Sequence, residues 1–233
     1  SQEVSKDAPA NRDRVIYLNV ILIRQADSME KKQQVRAIFQ VGAWLAFIML
    51  GYLGIRSYKL SVEKLKTNKC IEEIETLSRG IQFYFQGQRD YGEFNYKQAV
   101  SFKLIPKDMF KEGFTEATNA YMGGVDFFYS SLTPGDKNKA FEISFQGLSR
   151  YACVELVRMN WGSSDMSNLI AVAGYAAPTP SGVLDEIYPD TQQKDIKSRN
   201  IFMANEAPYV SLDKLESVCG CDGDNCSVVW KFR

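Results

Sequence analysis

The densest chemistry in this sequence is the run CGCDGDNC, residues 219–226, which puts Cys219, Cys221 and Cys226 into one short stretch. Thiolates at such spacing could hold zinc. A structural zinc site takes four ligands, usually as two paired hooks, and the other cysteines, Cys70 and Cys153, stand far away in the chain. Asp222, Asp224 and Asn225 outline a calcium-like loop but lack the bidentate glutamate of an EF-hand. Disulfides fit the pattern better, with Cys70 read as a buried free thiol on a helix stripe. Spacing alone leaves open which thiols pair. Asn225-Cys226-Ser227 also matches a glycosylation sequon, which reads as incidental inside so tight a cysteine loop.

Other chemistries are missing their residues. The sequence contains 0 histidines, which removes Ser-His-Asp and Cys-His catalysis and every histidine-ligated metal site. No glycine-rich phosphate loop or nucleotide lysine motif occurs. The expectation is therefore a non-enzyme with no metal and no cofactor. With 28 basic and 28 acidic residues in 233, nothing suggests the basic stripe of a nucleic-acid binder.

The elements that position these cysteines are divided by one stretch. Residues 37–55, AIFQVGAWLAFIMLGYLGI, carry no charge and are closed off by Arg36 and Arg56. At about 1.5 Å per residue a helix of this run approaches the roughly 30 Å hydrocarbon core of a bilayer. It is apolar all round, unlike a helix with one face in water. The expected organisation is a cytoplasmic N-terminal segment (1–36), a transmembrane helix (37–55) and an extracytoplasmic domain (56–233). All five cysteines follow the span, which suggests an oxidising compartment there and places the N-terminus inside. Within 1–36, the apolar run 15–23 is too short to cross a bilayer, and 25–36 is rich in helix formers.

Past the span the helix is expected to continue, because neither proline nor glycine intervenes between Gly54 and Gly80. Leu65, Cys70, Ile74, Leu77, Ile81 and Phe85 outline one apolar stripe, with Lys64, Lys66, Glu72, Glu73 and Glu75 mainly outside it. Residues 87–92 read as the stop and 96–104 as a short helix ended by Pro106. Residues 124–132 and 140–146 read as a β-hairpin. Residues 148–161 read as an amphipathic helix, 211–218 as a short helix and 227–233 as a strand. The turn-rich region 163–207 reads as a surface excursion with little regular structure.

Three stretches, QAVSFKLIPKDM from Gln98, RYACVELV from Arg150 and CDGDNCSVVWKF from Cys221, resemble in order three signatures of PilS-type type IVb pilins. The resemblance implies an α+β, pilin-like fold in which a long N-terminal membrane-spanning helix packs on an antiparallel sheet. It also implies a disulfide between Cys153 and Cys221, with Cys219 and Cys226 left without counterparts. One departure bears on processing. If Gly42 were the leader cut, the fifth residue would be Phe47, where filament pilins carry a glutamate. A chain that keeps its N-terminal segment needs no such acid, since no new amine is buried, and residues 1–36 are expected to persist.

Two functions follow. The first is a structural subunit of a bacterial envelope machine, a type IV pilus or secretion apparatus. Its partners would be the membrane and other protein subunits in a homo- or hetero-oligomer, and its domain would sit in the periplasm, or at the cell surface once in a filament. The alternative is a solitary membrane-anchored receptor or adhesin that binds a ligand through the 163–207 region.

Overall fold

Five strands among the described residues build one antiparallel sheet. In the computed structural model the strands are β1 (Val125–Ser130), β2 (Ala140–Leu148), β3 (Leu169–Tyr175), β4 (Ile201–Met203) and β5 (Cys226–Phe232), ordered β1-β2-β5-β3-β4. The structure describes residues 10–111, 115–136, 138–161, 168–178 and 182–233, with side chains in the first helix from Gln40 and then from Gly42 onward. The α-helices among the described residues are α1 (Ala10–Phe85), α2 (Tyr96–Ser101), α3 (Arg150–Arg158) and α4 (Leu212–Val218). The chain divides into two units, Ser1–Lys59 and Leu60–Arg233. The first is helix α1 from Ala10, and the second contains the sheet and the rest of α1.

Within Leu60–Arg233 successive side chains of a strand point to opposite faces of the sheet. Phe141, Ile143 and Phe145 of β2 and Val228, Trp230 and Phe232 of β5 face one core with Val125, Phe127, Val172 and Phe202. Cys70, Ile74, Leu77 and Ile81 of α1 enter that core fully buried, as the three-and-four spacing requires. The other face is buried as well. Ala140, Ala171, Ala173, Ile201, Met203 and Val229 meet Leu184 and Ile187 there in a second cluster.

The stripe on α1 differs from its expected course at two positions. Leu65 is exposed, and Glu73 is buried. Thr67 and Glu73 occupy inward positions because the loop after α2 offers them polar partners rather than apolar ones.

Region 163–207 is corrected more strongly. It supplies β3, which lies between β5 and β4 inside the sheet, and β4 itself. Residues 182–187 then cover the second face. LIAVAGY is a run of small and apolar residues because both faces of β3 are covered, which leaves no polar alternation to read.

The hairpin of β1 and β2 pairs Val125 with Phe145 through Ser130 with Ala140. Helix α3 starts after β2 rather than at residue 148: Leu148 still pairs with Cys226, and Ser149 caps the helix by accepting from the Ala152 N–H. Gly174 of β3 admits this layer. A Cβ there would lie 3.0 Å from Val157 of α3, 3.1 Å from Val218 of α4 and 3.2 Å from the Cys153 sulfur.

Candidate functional site

In the unit Ser1–Lys59, the helix from Gly42 to Lys59 turns every side chain outward. Trp44 and Phe47 are each 71% exposed and Met49 is 70% exposed, with Leu45, Ile48, Leu50 and Leu53 similarly uncovered. Burying such side chains is worth roughly 1.5–3 kcal/mol each. This surface therefore calls for an apolar environment or a partner helix. No helix among the described residues is long and apolar enough to cross a membrane. The expected span 37–55 begins with Ala37, Ile38 and Phe39 and includes Val41, whose side chains lie outside the described residues. The run 15–23 belongs to helix α1, and its side chains likewise lie outside those described.

In Leu60–Arg233 the polar chemistry braces elements together. Glu63 of α1 accepts at Oε2 from the Tyr121 hydroxyl at 2.9 Å and from the Ser149 hydroxyl at 2.6 Å. Thr67 lies 3.0 Å from the same Tyr121 oxygen. Ten residues beyond Glu63, Glu73 accepts the Ala120 N–H at 3.1 Å. Burial pushes the Glu73 carboxyl up to about 7, the Ala120 N–H and the Lys69 charge opposing it. Two acids on α1 thus pin the loop leading into β1.

A second constellation sits under the sheet. Lys231 of β5 is fully buried and donates to the carbonyls of Leu184 at 2.8 Å and Asp185 at 3.0 Å. Its cross-strand partner is Glu142 of β2, also fully buried. Ser130 donates to Glu142 Oε1 at 3.0 Å, and its hydroxyl also lies 3.2 Å from Asp185 Oδ1. Glu142 Oε2 has no hydrogen-bond partner among the described residues. Burial raises the Glu142 carboxyl to about 7 and lowers the Lys231 ammonium to about 8, each charge partly offsetting the other. The cluster fastens residues 184 and 185 onto the sheet. No group of three or more metal-ligating side chains occurs among the described residues.

The cysteines differ from the pairing implied above. Cys153 bonds Cys219, and Cys221 bonds Cys226. Cys219 is the C-cap of α4, and α4 packs beside α3, which brings the two Cα atoms to 5.8 Å. Cys221 lies beyond that cap in the turn, where Cys226 at the start of β5 returns to within 5.4 Å. Cys70 is free and buried, and burial raises its thiol above the usual range.

Region 163–207, where the receptor alternative places its ligand, holds a groove of about 540 Å³ lined by Val183, Ile187, Ile196 and Ile201 with Asp185 and Asp195. Sequence reasoning missed the Glu63, Glu73 and Glu142–Lys231 braces. A lysine between Trp230 and Phe232 in an otherwise apolar strand was the available signal for the last of these.

A family model described as PilS N terminal matches residues 64–185, more than half of the 233 residues. Among solved structures, the chain is similar to the crystal structure of TcpA, a type IV pilin from Vibrio cholerae El Tor biotype. The two share 16% identity over 72% of this chain and 99% of that one, with a TM-score of 0.43. No curated protein matches.

Proposed function

The chain belongs to the PilS family, and on that premise we propose that it is a structural, pilin-like subunit of a bacterial envelope machine, either a type IV pilus or a secretion apparatus. The observation that carries this reading is the apolar surface of residues 42–55, exposed all round on a helix. Such a surface is buried either in lipid or among like helices. In this reading the segment 37–55 is held in the inner membrane before assembly. The unit Leu60–Arg233 works in the periplasm, or at the cell surface once in a filament, where disulfides persist. Its role is to bind other subunits, with no catalytic step.

Isolation of native complexes from membranes tests the reading. A stoichiometric assembly containing many copies of this chain, or this chain with related subunits, is the expected result. A monomer that instead retains an external ligand would overturn it in favour of an anchored receptor. Labelling intact cells with a membrane-impermeant thiol reagent after reduction checks the orientation. Cysteines that react only once the inner membrane is broken would put the domain on the wrong side.

A further inference from the structure

The outer edge of β4 is already occupied. Strand β4 pairs with β3 on one side, with Phe202 opposite Val172. The Gly174 N–H donates to the Asn200 carbonyl at 3.1 Å and the Ala204 N–H to the Ile170 carbonyl at 3.0 Å. Since successive residues of a strand turn their peptide groups to alternate sides, Ile201 and Met203 present theirs away from β3. Such an edge is a template for a further strand. Here Gln193, in the 3-10 turn Gln193–Asp195, donates from Nε2 to the Ile201 carbonyl at 3.0 Å. It accepts at Oε1 from the Met203 N–H at 2.8 Å. One side-chain amide thus makes the two bonds, flanking Phe202, that two backbone groups of an adjoining antiparallel strand would make.

We propose that Gln193 is a plug that closes the outer edge of β4 against the β4 edge of a second copy of this chain. The second copy is the fitting partner because the edge is self-complementary. A two-fold axis at Phe202 sets the Ile201 carbonyl of one copy against the Met203 N–H of the other, and the reverse. The opposite margin of the sheet is engaged as well: Asn95 bridges Phe128 of β1, and Asp185 Oδ1 accepts the Ser131 N–H at 2.7 Å. Both margins thus make contacts with the chain's own groups. This goes beyond the subunit reading, which stands whether or not the plug does.

The test uses the full chain in detergent, with molecular mass followed by light scattering across a concentration series. Wild type sets the background of helix-mediated association. Gln193→Ala, which removes the amide, and Gln193→Leu, which keeps the bulk, should both gain a species of larger mass that grows with concentration. Adding Met203→Pro removes the outward N–H, a change that edge strands tolerate, and should restore wild-type behaviour. Masses equal to wild type for both Gln193 variants, or a gain that Met203→Pro leaves in place, would overturn the proposal. Amide exchange at Gly174 and Ala204 reports whether β4 is still docked. Loss of that protection in both Gln193 variants would also overturn it, since Gln193 would then be holding the strand rather than closing its edge.

Discussion

Gly123 and Gly147 meet backbone to backbone: a Cβ on Gly147 would lie 2.8 Å from the Gly123 Cα, and one on Gly123 would collide with the Gln146 carbonyl. The contact forms where the β2–β5 register shifts between Phe145 and Leu148 and Gly147 adopts φ +66°. Asn119 locks it, donating to the Gln146 carbonyl at 2.7 Å and accepting the Tyr121 N–H at 2.8 Å. Gly123→Ala is expected to lower the unfolding free energy by about 1–3 kcal/mol, the usual cost of overpacking. Gly135, at φ +85° and so on the positive side like Gly147, but with open space where its Cβ would be, isolates backbone strain from overpacking and is the control. Gly135→Ala should cost less than Gly123→Ala when urea midpoints are compared.

The two disulfides should contribute unequally. The Cys153–Cys219 bridge spans 66 residues and Cys221–Cys226 spans 5. Loop-closure entropy gives about 4 kcal/mol for the first and about 2 kcal/mol for the second. Denaturation of the two double alanine variants measures the difference, and peptide mapping without reduction should recover Cys153 linked to Cys219. Recovery of Cys153 linked to Cys221 would reinstate the pairing that the family resemblance implied.

Lys231 and Glu142 are expected to behave as a pair. Lys231→Met removes the positive charge that partly offsets the burial of Glu142, together with the donor to the Leu184 and Asp185 carbonyls. Removing one member of a buried pair costs about 3–5 kcal/mol. Combining it with Glu142→Gln should recover part of that loss, since no ionisable group is then left buried without its partner. A double-mutant cycle in guanidinium reads the coupling directly; strict additivity would show that the two side chains do not interact.

Glu73 gives the domain a pH dependence with a definite sign. Its folded-state value of about 7 lies above the model-peptide value of 4.5. The native protein therefore holds a proton that the unfolded chain has released. The contribution is fully present below pH 4.5 and is lost as pH rises through about 7. The groups facing Glu73 are Lys69, Cys70, Asp108, Lys111 and the Ala120 N–H. Glu73→Gln should flatten the fall in stability between those pH values, as read from thermal midpoints in a buffer series. An unchanged slope would show that Glu73 titrates normally.

The sequence was legible where one physical force acted alone. Cys70, Ile74, Leu77 and Ile81 fall on one helical face and are buried together. The hairpin was visible because aromatic strands flank a loop rich in proline, glycine and asparagine. Legibility ended where tertiary context decided. Glu73 looked solvated because a carboxylate on the flank of a stripe usually is, and only the Ala120 N–H, far along the chain, admits it to the interior. Strand β3 was hidden because alanine and glycine favour strands little, yet Ala171, Ala173 and Gly174 suit a strand with layers on both sides. A continuous apolar run of seven was the signal for it. Cysteine spacing could not show that the cap of α4 turns Cys219, rather than Cys221, toward α3.

The place of β5 in the sheet also sets a timetable. It follows every other strand in the chain, yet it lies between β2 and β3. Until residues 226–232 have emerged, the nascent domain has two separate hairpin-like halves with no strand to join them. Without that strand there are two unjoined edges, and Trp161 loses the ring that packs 5.9 Å away, Trp230. Long-range pairings of this kind are slow to form and leave apolar surface open meanwhile. Joining the β1–β2 hairpin to the β3–β4 pair therefore waits on residues 226–232.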